Sequence, residues 1–334
     1  YMIKAHEIQG ILALENCFNR EGMDHVLLVK IASSAVATAM LGGSFEEIRN
    51  AVSHAFIDGG TLRCYRHAPN TGSRKSWAAG DASSRGVNLA LKAISGEMGY
   101  PSALSAGYWG FEDVKMDGKK IVLAQELGSY VMENILFKIN YPAEFHAQTA
   151  CECAMKLHGE AKDKWTNIEK IIITTQESGH RIINKVGALD NFADRDHCIQ
   201  YMVAIPLIYG SLTDEHYQDN IASNPLIDEL REKMQVEVDD RYTKEYLESD
   251  KRSIANAVQI FYKDGSKSEK VEVEYPVGHK RRRDEGIPLL VEKFKTNLAT
   301  KISEKNSLAI NQVFENQASI EELNFNDFSD LFHL

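Results

Sequence analysis

Lys138–Thr149 reads KINYPAEFHAQT, and the chain changes character across it. Pro142 forbids a simple helical continuation and biases Tyr141, the residue before it, toward extended geometry. Lys138, Glu144 and His146 set a cation, an acid and a proton carrier side by side at this break. Their neighbours Ile139, Tyr141 and Phe145 are apolar, so the charged groups are expected to be partly withdrawn from water. Such a junction reads as an active-site wall. The same residues would also serve an interdomain hinge with incidental charges.

On the N-terminal side the patterns are helical. Val26–Leu41 is small and apolar on most sides, which suits a buried helix with close neighbours. Gly42-Gly43 stops it. Ser44-Phe45-Glu46-Glu47 is a capping box opening a second run, which Gly59-Gly60 ends. A third helical pattern covers Asp81–Ile94 and a fourth Ile121 to about Phe137. On the C-terminal side His146–His158 suits a helix, but Ile168–Thr175 (IEKIIITT) is short and β-branched, a strand by composition. Asp196–Tyr209 and Pro225–Met234 read as helices. Ala257–Tyr262, the turn Lys263-Asp264-Gly265-Ser266 and Lys270–Tyr275 read as a β-hairpin. Pro288–Lys301 returns to an amphipathic helix, and an acidic, aromatic tail follows Ile320. The expected fold is mainly α with an α+β part. An all-helical domain (1–137) is interrupted by a smaller α+β lid (138–275), after which 276–334 rejoins the helical domain.

Composition sets the class. The chain has 334 residues, 43% hydrophobic and 26% charged, with a net charge of -10 and a pI near 5.6. This length favours about two domains. The acidic balance argues against a nucleic-acid partner, which wants a basic surface. The most apolar run, Val26–Leu41, is broken by Lys30, Ser33, Ser34 and Thr38 and is not a bilayer span. No signal-peptide pattern opens the chain. Five scattered cysteines form no disulfide framework, so a reducing cytoplasm is the expected location.

Several chemistries are set aside on motif grounds. Cys151-Glu152-Cys153 is C-x-C, with no second pair to complete a four-thiolate cluster. There is no H-E-x-x-H, and His146 and His158 lack metal-ligand spacing on one helix face. No P-loop, G-x-G-x-x-G or G-x-S-x-G occurs. An enzyme built from this sequence is expected to work by proton transfer and fixed charge, with no metal and no cofactor.

Six segments carry a resemblance: AHEIQG (Ala5–Gly10), DHVLLVKIAS (Asp24–Ser33), SRKSWAAGDA (Ser73–Ala82), KINYPAEFHAQTA (Lys138–Ala150), ADRDHCIQYMVAIPL (Ala193–Leu207) and GHKRRRDEGIPLL (Gly278–Leu290). In order along nearly the whole chain, they resemble the 2-methylcitrate dehydratase (PrpD) family. Its wider superfamily also holds cis-aconitate decarboxylase and iminodisuccinate epimerase. The AEFHAQTA, DRDHCIQYMVA and GHKRRR segments resemble the dehydratase branch specifically. The resemblance implies an all-helical domain interrupted by an α+β lid, action without a metal, and a homodimer. It implies dehydration of 2-methylcitrate to 2-methylaconitate in propionate breakdown by the methylcitrate cycle, with side activity on citrate or cis-aconitate. It also implies a further N-terminal helical stretch before AHEIQG that contributes an acid, a hydroxyl and a histidine to the site. With Tyr1 as first residue, the sequence is expected to be N-terminally incomplete.

A tricarboxylate substrate needs several cations, and the enolate-like charge formed on proton removal needs fixed donors. A basic pocket is therefore expected in this acidic protein. By resemblance, Lys75 and Lys138 line it; each would bind a carboxylate, or act as base if its pKa is lowered. Arg74, next to Lys75, would clamp a second carboxylate or lie in a solvated loop. Tyr201 matches a superfamily active-site tyrosine, although a tyrosine in an apolar run is more often core. His25 aligns with a pocket histidine; a helix N-terminus favours its neutral form and a base or donor role, or the residue makes only an N-terminal cap contact. Either His146 or Glu144 would be the proton-transfer partner, His146 ranking higher and Glu144 otherwise binding substrate. His197, one turn before Tyr201, would contact substrate or orient Tyr201. Arg66 and His67 are weaker candidates. One arginine of His279–Arg283 (HKRRR), Arg281 or Arg282 foremost, is expected to bind the third carboxylate. A decarboxylase or epimerase, and a non-catalytic tricarboxylate-binding homologue, are the competing readings.

Overall fold

The computed structural model describes residues 1–58, 60–67 and 71–333. Gly59 of the expected Gly59-Gly60 stop, and the last three residues of YRHAPN, lie outside them. Helices α1 (Met2–Glu15), α2 (Val26–Met40), α3 (Phe45–Ile57) and α4 (Ala78–Ile94) build the first part. The Ser44 capping box forms as its spacing requires: Glu47 N–H donates to Ser44 Oγ at 3.3 Å, and Ser44 N–H to Glu47 Oε2 at 2.7 Å. The small residues of α2 matter for packing. A Cβ on Gly86 of α4 would stand 2.7 Å from Ser33 Cβ and 2.9 Å from Lys30 O, so only glycine permits this approach. A core of Leu12, Phe18, Met23, Leu27, Ile31, Phe56 and Phe111 lies beneath.

The fourth expected helix does not form as a single run. Only Tyr130–Asn134 is helical within Ile121 to Phe137. Side chains from earlier elements take its backbone groups instead. Asn16 both donates to Val122 O (2.7 Å) and accepts from Val122 N–H (3.0 Å). The buried Glu7 carboxylate accepts from Gly128 N–H at 3.0 Å and Val131 N–H at 2.8 Å. Periodicity cannot register such long-range competition for backbone donors.

The second part holds a sheet of four strands among the described residues: β1 (Ile168–Thr175), β2 (Met234–Val238), β3 (Asn256–Tyr262) and β4 (Val271–Val273), in the order β2-β1-β3-β4. The β3–β4 hairpin is antiparallel, as its turn implies. Strand β2 pairs parallel with β1, Ile171 opposite Met234. It replaces the end of the expected Pro225–Met234 helix, which stops at Glu232. Helices α5 (Gln148–Ala161) and α6 (Ile199–Tyr209) pack with the sheet around Ile171, Ile173, Met202, Ile205, Val258 and Ile260. Helix α6 is apolar all round, as a core helix must be.

Both crossings between the two cores meet at one place. Phe137 N–H donates to Gly278 O at 3.0 Å. A Cβ on Gly278 would overlap Phe137 O at 1.6 Å, which explains the glycine. Helix α7 (Arg283–Ala299) follows, starting five residues before Pro288. The tail continues through an aromatic chain, Phe294 to Phe314 (5.2 Å) and Phe314 to Phe328 (6.3 Å). Among the described residues no helix is long and apolar enough to cross a membrane.

Candidate active site

Charged side chains from both parts meet in one cluster. The N-terminus of α2 supplies Asp24 and His25, the loop before α4 supplies Arg63, Arg66, His67 and Lys75, and the lid side supplies Lys138, Glu144, His146, Asp196 and His197. Cross-contacts pin the two walls. Lys75 Nζ lies 2.5 Å from Asp196 Oδ2. Thr71 N–H donates to the buried Asp194 Oδ1 at 2.5 Å, and Lys185 Nζ to Thr71 Oγ1 at 2.7 Å.

Glu144 and His146 form a closed pair just after Pro142. His146 N–H reaches Glu144 Oε2 at 2.7 Å, and His146 Nδ1 lies 2.9 Å from both carboxylate oxygens. Burial pushes the Glu144 carboxyl up, but the His146 charge and hydrogen bonds outweigh it and hold the group down to about 2. Burial pushes His146 down, and Glu144 overrides it, leaving the imidazole above its ordinary value. With Nδ1 bound to Glu144, Nε2 is the nitrogen left for chemistry.

Lys138 is the complement. Among the described residues its Nζ makes no ion pair within 4 Å; it lies 5.1 Å from the Phe145 ring centre. Loss of solvent lowers its pKa, opposed by Glu144 and Asp196 and reinforced by Lys75 and Lys293. Asp196 is raised by burial but brought below its ordinary value overall by His197, whose Nδ1 sits 2.8 Å away, and by Lys75. The His25 side chain is 59% exposed. Its pKa is lowered by desolvation first, opposed by Asp24 and Glu144 and reinforced by Arg66 and Arg63. The fully buried Asp24 anchors this wall, accepting from Arg66 Nε at 2.5 Å and Val26 N–H at 3.0 Å. The arrangement can remove a proton, protonate a leaving oxygen and hold carboxylates.

The MmgE/PrpD N-terminal domain model matches residues 1–124, and the C-terminal domain model matches 141–318. This chain belongs to the MmgE/PrpD family. An Escherichia coli K12 relative, "2-methylcitrate dehydratase", is 56% identical over 99% of this chain and 69% of its own length. Yarrowia lipolytica "2-methylcitrate dehydratase, mitochondrial" is 60% identical over 91% of this chain and 59% of its own. An Aspergillus oryzae "2-methylcitrate dehydratase-like protein oryR" is 42% identical over 99% of this chain and 67% of its own.

Within this MmgE/PrpD chain, four expected residues stand apart from this cluster. Tyr201 is 2% exposed in α6, and its hydroxyl donates to His216 O at 2.6 Å. Its apolar helix turns it into the core, and the adjacent His197 binds Asp196 rather than orienting it. Arg74 pairs with Asp81 at 3.0 Å and lies over the Trp77 ring at 4.3 Å. Arg282 is held by Glu152 and Glu285, each at 2.8 Å, and by Tyr275 O at 2.7 Å. Arg281 donates to Asp250 O at 2.7 Å. Arg283 completes this pattern, donating to Ile135 O at 2.8 Å. The HKRRR run thus braces the junction where the chain re-enters.

Sequence reasoning missed Asp24, Arg63, Asp196 and Tyr246. Asp24 and Asp196 each precede a histidine that was singled out, a usable signal. Tyr246, whose ring lies 5.7 Å from that of His146, and Arg63 carry no local motif.

Proposed function

We propose that this chain carries out metal-independent dehydration of 2-methylcitrate to 2-methylaconitate. The relatives that match it over 99% of its length bear the name 2-methylcitrate dehydratase. The single structural observation that carries the chemistry is the Glu144–His146 pair set beside Lys138, which has no ion pair among the described residues, and the Lys75–Asp196–His197 group. His146 Nε2 takes the proton from the carbon next to a carboxylate, and Glu144 stabilises the imidazolium that forms. The C–H electrons become the new double bond. The neighbouring hydroxyl leaves as water after receiving a proton, for which Lys138, with its lowered pKa, is suited. Lys75 and Lys138 offset the charge that builds on the substrate carboxylate.

The test follows absorbance of the unsaturated product from EDTA-treated protein made from the complete reading frame. The reading expects a faster rise with 2-methylcitrate than with citrate. No rise with either, and carbon dioxide release from cis-aconitate, would replace it with a decarboxylase.

Three features extend the reading. The chain divides at 138 and 275 into a helical base and an α+β lid, supported by separate cores and the stitched junction at Phe137 and Gly278. The molecule is a homodimer, supported by exposed Met40, Phe45 and Trp109 in the helical part; a one-chain mass in sedimentation would contradict it. It works in a reducing compartment, the cytoplasm, consistent with its five unbridged cysteines. Disulfides in protein isolated under thiol-blocking conditions would argue against that location.

A further inference from the structure

One guanidinium lies between two imidazoles on the α2 wall. Arg63 Nη1 is 3.2 Å from His25 Nδ1, and Arg63 Nε is 2.8 Å from His67 Nε2. A guanidinium has five donors, no acceptor, and stays protonated in proteins. Both ring nitrogens must therefore present lone pairs. The proton of His25 is then on Nε2, and that of His67 on Nδ1.

The rival partner for His25 Nδ1 is Asp24 Oδ1. It is farther away, at 3.5 Å, and already accepts Val26 N–H at 3.0 Å. Asp24 Oδ2 takes Arg66 Nε and lies 3.7 Å from Arg63 Nη1. So Asp24 holds the guanidinium, and the guanidinium orders the imidazoles. Arg63 is nearly buried, its side chain 9% exposed, so water offers it few competing partners.

We propose that Arg63 is a positioning residue: it fixes His25 as the neutral Nε2–H tautomer, so that His25 gives bound substrate a hydrogen-bond donor rather than a base. This rests on the dehydratase reading and deepens it, leaving His146 as the base. The charged groups acting on His25 are Asp24, Arg63, Arg66 and Glu144. Those acting on His67 are Arg63, Lys185, Arg181 and His197. Both histidines are held below their ordinary pKa, desolvation first, in keeping with neutral rings.

The experiment is nitrogen-15 NMR of histidine-labelled protein without substrate, with His25 assigned through His25→Gln. The wild type should show His25 as a neutral ring protonated at Nε2. Arg63→Met should yield a tautomer mixture and move the His25 titration upward by roughly one pH unit. The sign follows because removing a nearby cation makes protonation easier. Arg63→Lys keeps a cation beside Asp24 and guards against misfolding; it should hold the titration near wild type yet still mix the tautomers. A wild-type His25 protonated at Nδ1, or identical tautomers in all three proteins, would overturn the proposal. Absent wild-type turnover of 2-methylcitrate would instead fault the dehydratase reading, because the NMR result needs no turnover.

Discussion

Lys75 Nζ stands 2.5 Å from Asp196 Oδ2 across 121 residues of sequence. The pair joins the loop before α4 to the turn before α6, so an ion pair ties the two parts of the chain together at the candidate site. Both side chains remain partly exposed, at 19% and 27%, and a substrate carboxylate can compete for the ammonium. Lys75→Ala is expected to lower kcat/KM roughly 10²–10³-fold, the scale seen for loss of one fixed electrostatic contact. Steady-state kinetics checks this; unchanged kcat/KM would make the pair purely architectural.

Glu144 and His146 predict a pH signature in stability. The Glu144 carboxyl drops from an ordinary 4.5 to about 2 on folding. Its contribution is complete above 4.5 and is lost as pH falls through the interval down to about 2. The His146 pKa rises on folding, so its contribution is complete below 6.5 and disappears as pH climbs through the folded value. Urea unfolding of Glu144→Gln across pH 2–8 should lack both losses. Curves for the two proteins that stay parallel would contradict the pairing.

Arg282 is expected to matter for stability and not for substrate. Replacing it by alanine leaves Glu152, which is largely buried, without this partner, at a cost of about 1–3 kcal/mol. Denaturant melts should show that loss while KM for 2-methylcitrate stays put. A raised KM in a fully folded variant would restore the arginine to the substrate.

Tyr201→Phe should retain turnover within a few-fold and lose about 1 kcal/mol, the net worth of one hydrogen bond to His216 O. A drop in kcat beyond a hundredfold would place the phenol in the reaction after all.

Much of the architecture was legible because its causes are local. The Ser44 capping box, the β-branched IEKIIITT strand and the Lys263–Ser266 turn each act over a few residues, and each forms. Failures arise where distant groups compete. Glu7 and Asn16 capture backbone donors of Gly128, Val131 and Val122, and the helix expected there shrinks to Tyr130–Asn134. Strand β2 exists because β1 offers it an edge, which no window around Met234 contains. The site follows the same rule. Glu144 and His146 are neighbours in sequence and were found together. Arg63 meets His25 only through the fold, and the dense charge of HKRRR drew attention to residues already engaged elsewhere, Arg282 by Glu152 and Glu285 and Arg281 and Arg283 by backbone carbonyls.

The most direct measurement is kcat for His146→Gln on 2-methylcitrate. Glutamine can still donate to Glu144, so circular dichroism should match wild type. Loss of the base should cut kcat roughly 10²–10⁴-fold with KM little changed. A kcat within a few-fold of wild type would show that another group moves the proton and that the Glu144–His146 pair is structural.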